Sequence, residues 1–109
     1  MTPLEAEQIV NTNCQLATNY HAFRLRSVQS RVDLRLLVLT GDFPKSMSVE
    51  NKELACCKDN EQAQELYRRA LEDEAQYKGL EMIIKANEHK INWAKKVLVD
   101  NQQGEQRGY

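Results

Sequence analysis

Apolar residues fall at helical spacing along almost the whole chain. Val10, Cys14 and Ala17 recur as His21, Leu25 and Val28, then as Val32, Leu36 and Leu39, each set shifted by 11 residues. An 11-residue period keeps a stripe nearly straight along an α-helix, or winds it slightly to the right. Ile9, Leu16, Tyr20, Phe23, Leu34 and Leu37 lie beside or opposite this stripe. The first helix is therefore apolar on more than one side, which a single partner helix cannot cover. From Ala63 onward the period changes to seven. One column reads Ala63, Ala70, Tyr77, Ile84, Ile91 and Leu98, and the other reads Leu66, Asp73, Leu80, Asn87 and Ala94. A charge-free column of that length is coiled-coil-like, and polar groups in the second column act on register and partner choice at some cost in stability.

End signals divide the pattern into elements. Thr2, Pro3 and Glu5 supply an N-cap, a first-turn proline and a capping box. No Gly or Pro follows until Gly41, and Asp42-Phe43-Pro44 cannot continue a helix. The first helix is thus predicted over residues 3–40, roughly 57 Å at about 1.5 Å per residue. Ser48 can cap a second helix, with Glu50 and Glu53 near its positive end. Asp59 with Gln62 forms another capping box, so a break near Asp59 would yield a third helix. Lys95 and Lys96 suit a helix C-terminus, and residues 100–104 are expected to end it. The expected fold is all-α: a long antiparallel helical hairpin over residues 1–101, with a flexible tail at 102–109.

Composition limits what such a hairpin can do. The chain has 109 residues, which supports one domain or one protomer of an assembly. Four Gly and two Pro are too few for a turn-rich β-sandwich or barrel. Aromatic residues make up 6% and there is one Trp, so a large monomeric core is hard to build. Leftover apolar surface then predicts a homo-oligomer. The helix-helix or oligomer interface is expected at Val10, Leu25, Val28, Val32, Leu36 and Leu39 of the first helix. On the second long helix it is expected at Tyr77, Ile84, Ile91 and Leu98. The densest apolar run, Leu36-Leu37-Val38-Leu39, is far short of the roughly 20 residues of a membrane span.

Reactive residues are present without the spacing that chemistry needs. Cys14 and His21 stand two turns apart, about 11 Å along one helix, too far for a nucleophile and its base. Cys56 and Cys57 are adjacent, point about 100° apart on a helix and have no CxxC or HxxxH companion, so packing is the expected role and no metal is called for. A ferritin-like site would need Glu-x-x-His, and neither His21 nor His89 has Glu three residues before it. No phosphate loop, dinucleotide fingerprint or nucleophile elbow occurs. The expectation is a protein without cofactor and without enzymatic activity.

Charge is the stronger signal. With 15 basic and 16 acidic side chains the formal net charge is -1, so binding nucleic acid by bulk charge is not expected. Yet residues 8–32 contain no acid and carry Arg24, Arg26 and Arg31, with Arg24, Arg31 and Arg35 on one side of the helix. Lys85, His89, Asn92 and Lys96 line up in the second half, and Tyr20, Phe23 and Trp93 are close to these groups in sequence. Arginines with aromatics can clamp phosphates and stack bases. The competing reading pairs the arginines with the acid-rich stretch at 61–74, whose carboxylates otherwise form a solvated face with Arg68 and Arg69.

The first helix ends in Leu-Leu-Val-Leu-Thr-Gly, followed by Ser-Val-Glu-Asn-Lys-Glu-Leu-Ala, Ala-Leu-Glu-Asp-Glu-Ala-Gln-Tyr-Lys-Gly-Leu-Glu and Ile-Asn-Trp-Ala-Lys-Lys-Val-Leu. Over about residues 4–100 this order resembles small helical-hairpin proteins from the recombination and replication clusters of tailed bacteriophages, including UvsY-type recombination mediators. The resemblance implies a ring-like helical oligomer that binds single-stranded DNA and helps to load a recombinase. Arg24, Arg26, Arg31, Arg35, Lys85, Lys95 and Lys96 are the candidate DNA contacts. The departure is the net charge of -1, which leaves room for a role confined to protein partners. Two other readings compete: a small phage-type inhibitor of a host defence complex, acting through the acidic helix face, and a structural coiled-coil adaptor. Three cysteines, two of them adjacent, fit a reducing compartment, and Met1-Thr2-Pro3-Leu4-Glu5 has no basic region leading into an apolar one. A cytoplasmic location is expected, in the host cytoplasm if the chain is phage-encoded.

Overall fold

The described residues form three helices, α1 (Pro3–Leu39), α2 (Val49–Asp59) and α3 (Glu61–Gln106). The computed structural model describes the backbone of residues 1–106 and the side chains of residues 1–100. No strand occurs among the described residues. The chain is an all-α helical hairpin in which α1 packs against α3. The α3 helix continues through Gly104, past the expected stop: a lone glycine costs about 1 kcal/mol in a helix but does not forbid one. Of the tail expected at 102–109, the last three residues lie outside the described residues.

Local hydrogen bonds explain the boundaries. Thr2 N donates to Glu5 Oε2 at 3.0 Å, and Glu5 N donates to Thr2 Oγ1 at 3.2 Å, which is the capping box the sequence predicts. The far end of α1 is closed by Thr40 Oγ1 donating to the Leu37 carbonyl and by Gly41 N donating to the Val38 carbonyl. Ser48 caps α2 by accepting from Asn51 N at 3.2 Å. The break falls one residue beyond Asp59. Asn60 leaves the helical region at φ -124° and ψ 111°, and its Oδ1 accepts from Ala63 N at 3.1 Å. Asn60, rather than Asp59, is therefore the cap of α3. Gln64 Nε2 reaches back across the break to the Cys57 carbonyl, satisfying one of the acceptors that the end of α2 leaves open.

The chain divides into two compact units. In the unit Tyr20–Lys78, Leu34 and Ala63 are fully buried and Leu66 nearly so, with Leu37, Cys56, Cys57 and Tyr67 packed on them. Ser27 and Ala70 are buried against each other, and Ser27 Oγ donates to the Ala70 carbonyl at 2.9 Å. Seven residues earlier on α1 and seven later on α3, Tyr20 meets Tyr77 edge to face at 5.6 Å, which fixes the antiparallel sense. The other unit joins residues 1–19 to α3 from Gly79 onward. None of its described residues is fully buried; Ile9, Asn13 and Leu16 of α1 and Leu80, Ile84, Asn87 and Ile91 of α3 are half-buried.

The α1 row expected at the helix-helix or oligomer interface is not the one that meets α3. Val10, Leu25, Val28, Val32, Leu36 and Leu39 are all exposed. The buried α1 residues are Ser27, Leu34 and Val38, on the side predicted to lie beside or opposite the stripe. The physical reason is a choice between two apolar faces. The face chosen carries small and hydrogen-bonding residues, so the helices can approach closely at Ser27 and Ala70. On α3 the heptad column holds better: Ala63 and Ala70 are buried, and Tyr77, Ile84 and Ile91 are half-buried. Leu98 is exposed, because α1 begins at Pro3 and offers little opposite it.

Candidate docking face

The surface left by this packing is unusually aliphatic for a helix exterior. Within the unit Tyr20–Lys78, the outward side of α1 carries Leu25 (71% exposed), Val28, Val32, Leu36 and Leu39 (79% exposed) at steps of three and four. The seam beneath is built from Ser27, Leu34, Val38, Ala63 and Ala70. Larger aliphatic groups thus face outward while smaller ones fill part of the interior, the reverse of what burial alone favours. Val10 and Cys14 are exposed members of the same stripe in the other unit, where Met82, Ile83, Trp93, Val97 and Leu98 are exposed on α3.

The seven basic candidates fall into two groups. Arg31 donates to Glu74 at 3.2 Å, Arg35 stands 3.6 Å from the buried carboxylate of Glu53, and Lys85 pairs with Glu81 at 2.9 Å. For Arg31 this is the pairing with the acid-rich stretch that sequence offers as the alternative to phosphate binding. Arg24, Arg26, Lys95 and Lys96 are exposed and make no ion pair among the described residues. The Arg26 guanidinium lies over the Phe23 ring at 5.3 Å. Arg24 and Arg26 belong to one unit, Lys95 and Lys96 to the other.

The acidic face is largely answered by its own helix. Arg68 bridges Glu65 and Glu72, Arg69 also reaches Glu65, and Lys78 pairs with Glu74 at 2.8 Å. Hydrogen bonds from Arg68 and Arg69 hold the Glu65 carboxyl below its ordinary range. Glu74 is likewise lowered, chiefly by the Lys78 hydrogen bond, against desolvation that raises it, with Arg31 adding to the lowering.

The remaining reactive groups do not converge. Cys56 and Cys57 are half-buried against the Leu34 cluster, and burial, with Cys56 and Glu53 as neighbours, pushes the Cys57 thiol upward. A raised thiol is a poorer nucleophile at neutral pH. His21 is exposed beside Tyr20, its ring 5.3 Å away, and takes no buried polar partner from α3. Among the described residues no group of three or more His, Cys, Asp or Glu is placed to hold a metal ion. No described helix is long and apolar enough to cross a membrane.

One feature of the surface has no counterpart in the sequence reading. Where α1 turns toward α2, Arg35, Val38, Leu39, Gly41, Phe43, Val49 and Lys52 line a groove of about 350 Å³. The periodic signal carries no trace of it, because Phe43 lies in the connecting segment; the only hint is Gly41 two residues before an aromatic.

Comparison with family models, with curated proteins and with solved structures finds no match.

Proposed function

We propose that this chain is a non-enzymatic accessory protein that assembles with copies of itself through the aliphatic face of α1. In line with the mediators it resembles, the assembly would serve DNA recombination or replication, contacting single-stranded DNA, a recombinase or both. The observation that carries the reading is the exposure of Leu25, Val28, Val32, Leu36 and Leu39 in one row. Burying a Leu or Val side chain stabilises by about 1.5–3 kcal/mol, so the row can offset much of the cost of association when a second copy covers it. An exposed apolar patch of this kind marks an interaction site more often than an accident of composition.

DNA contact is the narrower limb of the proposal. It falls to Arg24, Arg26, Lys95 and Lys96, since Arg31, Arg35 and Lys85 already have carboxylate partners. The acid-face inhibitor reading is weaker, because Glu65, Glu72 and Glu74 are neutralised by nearby cations. Anisotropy of a labelled single-stranded oligonucleotide, titrated at low and high salt, tests the DNA limb. Binding should fall steeply with salt, as counterion release requires, and should weaken further when Arg24 and Arg26 are both changed to Ala. Salt-independent retention, or no retention at all, would remove DNA from the account and leave protein partners alone.

A further inference from the structure

The groove between the end of α1 and the start of α2 is lined by apolar and cationic side chains. Val38, Leu39, Phe43 and Val49 supply the apolar walls; Arg35 and Lys52 supply the charge. Its volume of about 350 Å³ suits one bulky side chain with the backbone on either side of it. Small binding sites of this size pair an apolar lining with a few placed polar groups.

Two details indicate that the groove is formed in advance. A side-chain carbon added at Gly41 would collide with the ring of Phe43, so the absence of one is what lets that ring form a wall. On the other side, Val49 and Lys52 are held by the first turn of α2, which Ser48 caps.

The two charges are available to different degrees. Lys52 makes no ion pair among the described residues. Arg35 is two-thirds exposed, and its distance of 3.6 Å from Glu53 is longer than a direct charge-assisted hydrogen bond of about 2.7–2.9 Å. Glu53 thus takes part of the Arg35 charge and leaves Arg35 a secondary contact through its remaining N–H groups, with Lys52 as the main one. The positive end of α2 adds to the preference for an anion, although Glu50 in the same turn opposes it.

From this complementarity we infer that the groove docks an acidic peptide segment of a partner protein, with one aromatic or large aliphatic side chain as the anchor. The anchor enters among Val38, Leu39, Phe43 and Val49, and carboxylates beside it meet Lys52 and Arg35. The site differs from the self-association face, though Leu39 borders both.

A fluorescently labelled peptide Asp-Glu-Phe-Glu-Asp with blocked ends tests this against the full chain. Saturable binding that weakens with salt is expected, with at least a tenfold loss on replacing the peptide's Phe by Ala or its acids by Lys. Lys52→Glu and Phe43→Ala should each weaken binding at least tenfold with helical content unchanged. Arg35 is not the residue to change, because its removal strands the buried Glu53. Absence of saturable binding, equal binding of the lysine peptide, or wild-type affinity in both variants would overturn the proposal. So would binding seen only after Leu25 and Val32 are changed to Glu, which would assign the groove to a second copy of this chain.

Discussion

The side-chain amide of Asn87 donates to Asn13 Oδ1 at 2.8 Å, and Asn13 Nδ2 in turn donates to the Ile84 carbonyl at 3.3 Å. This half-buried pair makes a direct polar link between α1 and α3 in the unit where none of the described residues is fully buried. Asparagines in a helical seam fix alignment by leaving an unmatched amide in any other register.

Replacing one of the pair should therefore cost more than replacing both. Asn87→Leu leaves the Asn13 Oδ1 acceptor unmet and is expected to destabilise by about 1–2 kcal/mol. The double change to Leu should recover that loss. Urea unfolding of the two single variants and the double variant measures the coupling; purely additive effects would contradict a direct pair.

The contact of Ser27 with Ala70 sets how closely the helices approach in the other unit. Ala70 is fully buried, so Ala70→Leu forces bulk into the seam and should cost about 1–3 kcal/mol, read as a lower urea midpoint. An unchanged midpoint would mean that α1 and α3 are not packed there.

Removing the Asn60 cap should be felt at the junction of α2 and α3. Asn60→Ala is expected to cost about 1 kcal/mol by freeing the Ala63 N–H. Hydrogen exchange at Ala63 should quicken in the same variant.

Glu74 gives a pH dependence with a definite sign. Lys78 and Arg31 lower its folded-state carboxyl below the ordinary 4.5. A lowered carboxyl contributes stability above its unfolded value and loses it as pH falls through the folded value. Between about pH 5 and 3, stability should fall less steeply in Glu74→Gln than in the wild-type chain. Parallel curves for the two proteins would show that the pair contributes nothing.

Both ends of α1 and the start of α2 were readable because they depend on a few residues near each boundary, whereas α3 runs past the stop expected at Gly104. Thr2 with Glu5, Thr40 with Gly41, and Ser48 each act within three or four positions of themselves, so sequence carries the whole cause. The break near Asp59 was readable for the same reason, but adjacent Asp59 and Asn60 are both capable caps, and only the path of the backbone selects Asn60. The heptad of α3 could be read because one column stays free of charge from Ala63 to Leu98. The orientation of α1 could not, because two of its sides offer apolar rows of similar length. Its large residues, Leu25, Val28 and Val32, make the stronger periodic signal, while the seam is decided by Ser27 fitting Ala70, a contact between residues 43 apart. Likewise, Arg31 and Arg35 looked available for phosphate until Glu74 and Glu53 were placed beside them.

The central claim is that the outward face of α1 is covered by another copy of the chain. Light-scattering mass, measured over a wide range of protein concentration, tests it most directly when the wild type is compared with a variant carrying Leu25→Glu, Val32→Glu and Leu36→Glu. The account predicts a multiple of 12.6 kDa for the wild type and a folded monomer for the variant. A wild-type chain that remains at 12.6 kDa up to the highest concentration, with the same helical content and solubility as the variant, would contradict it.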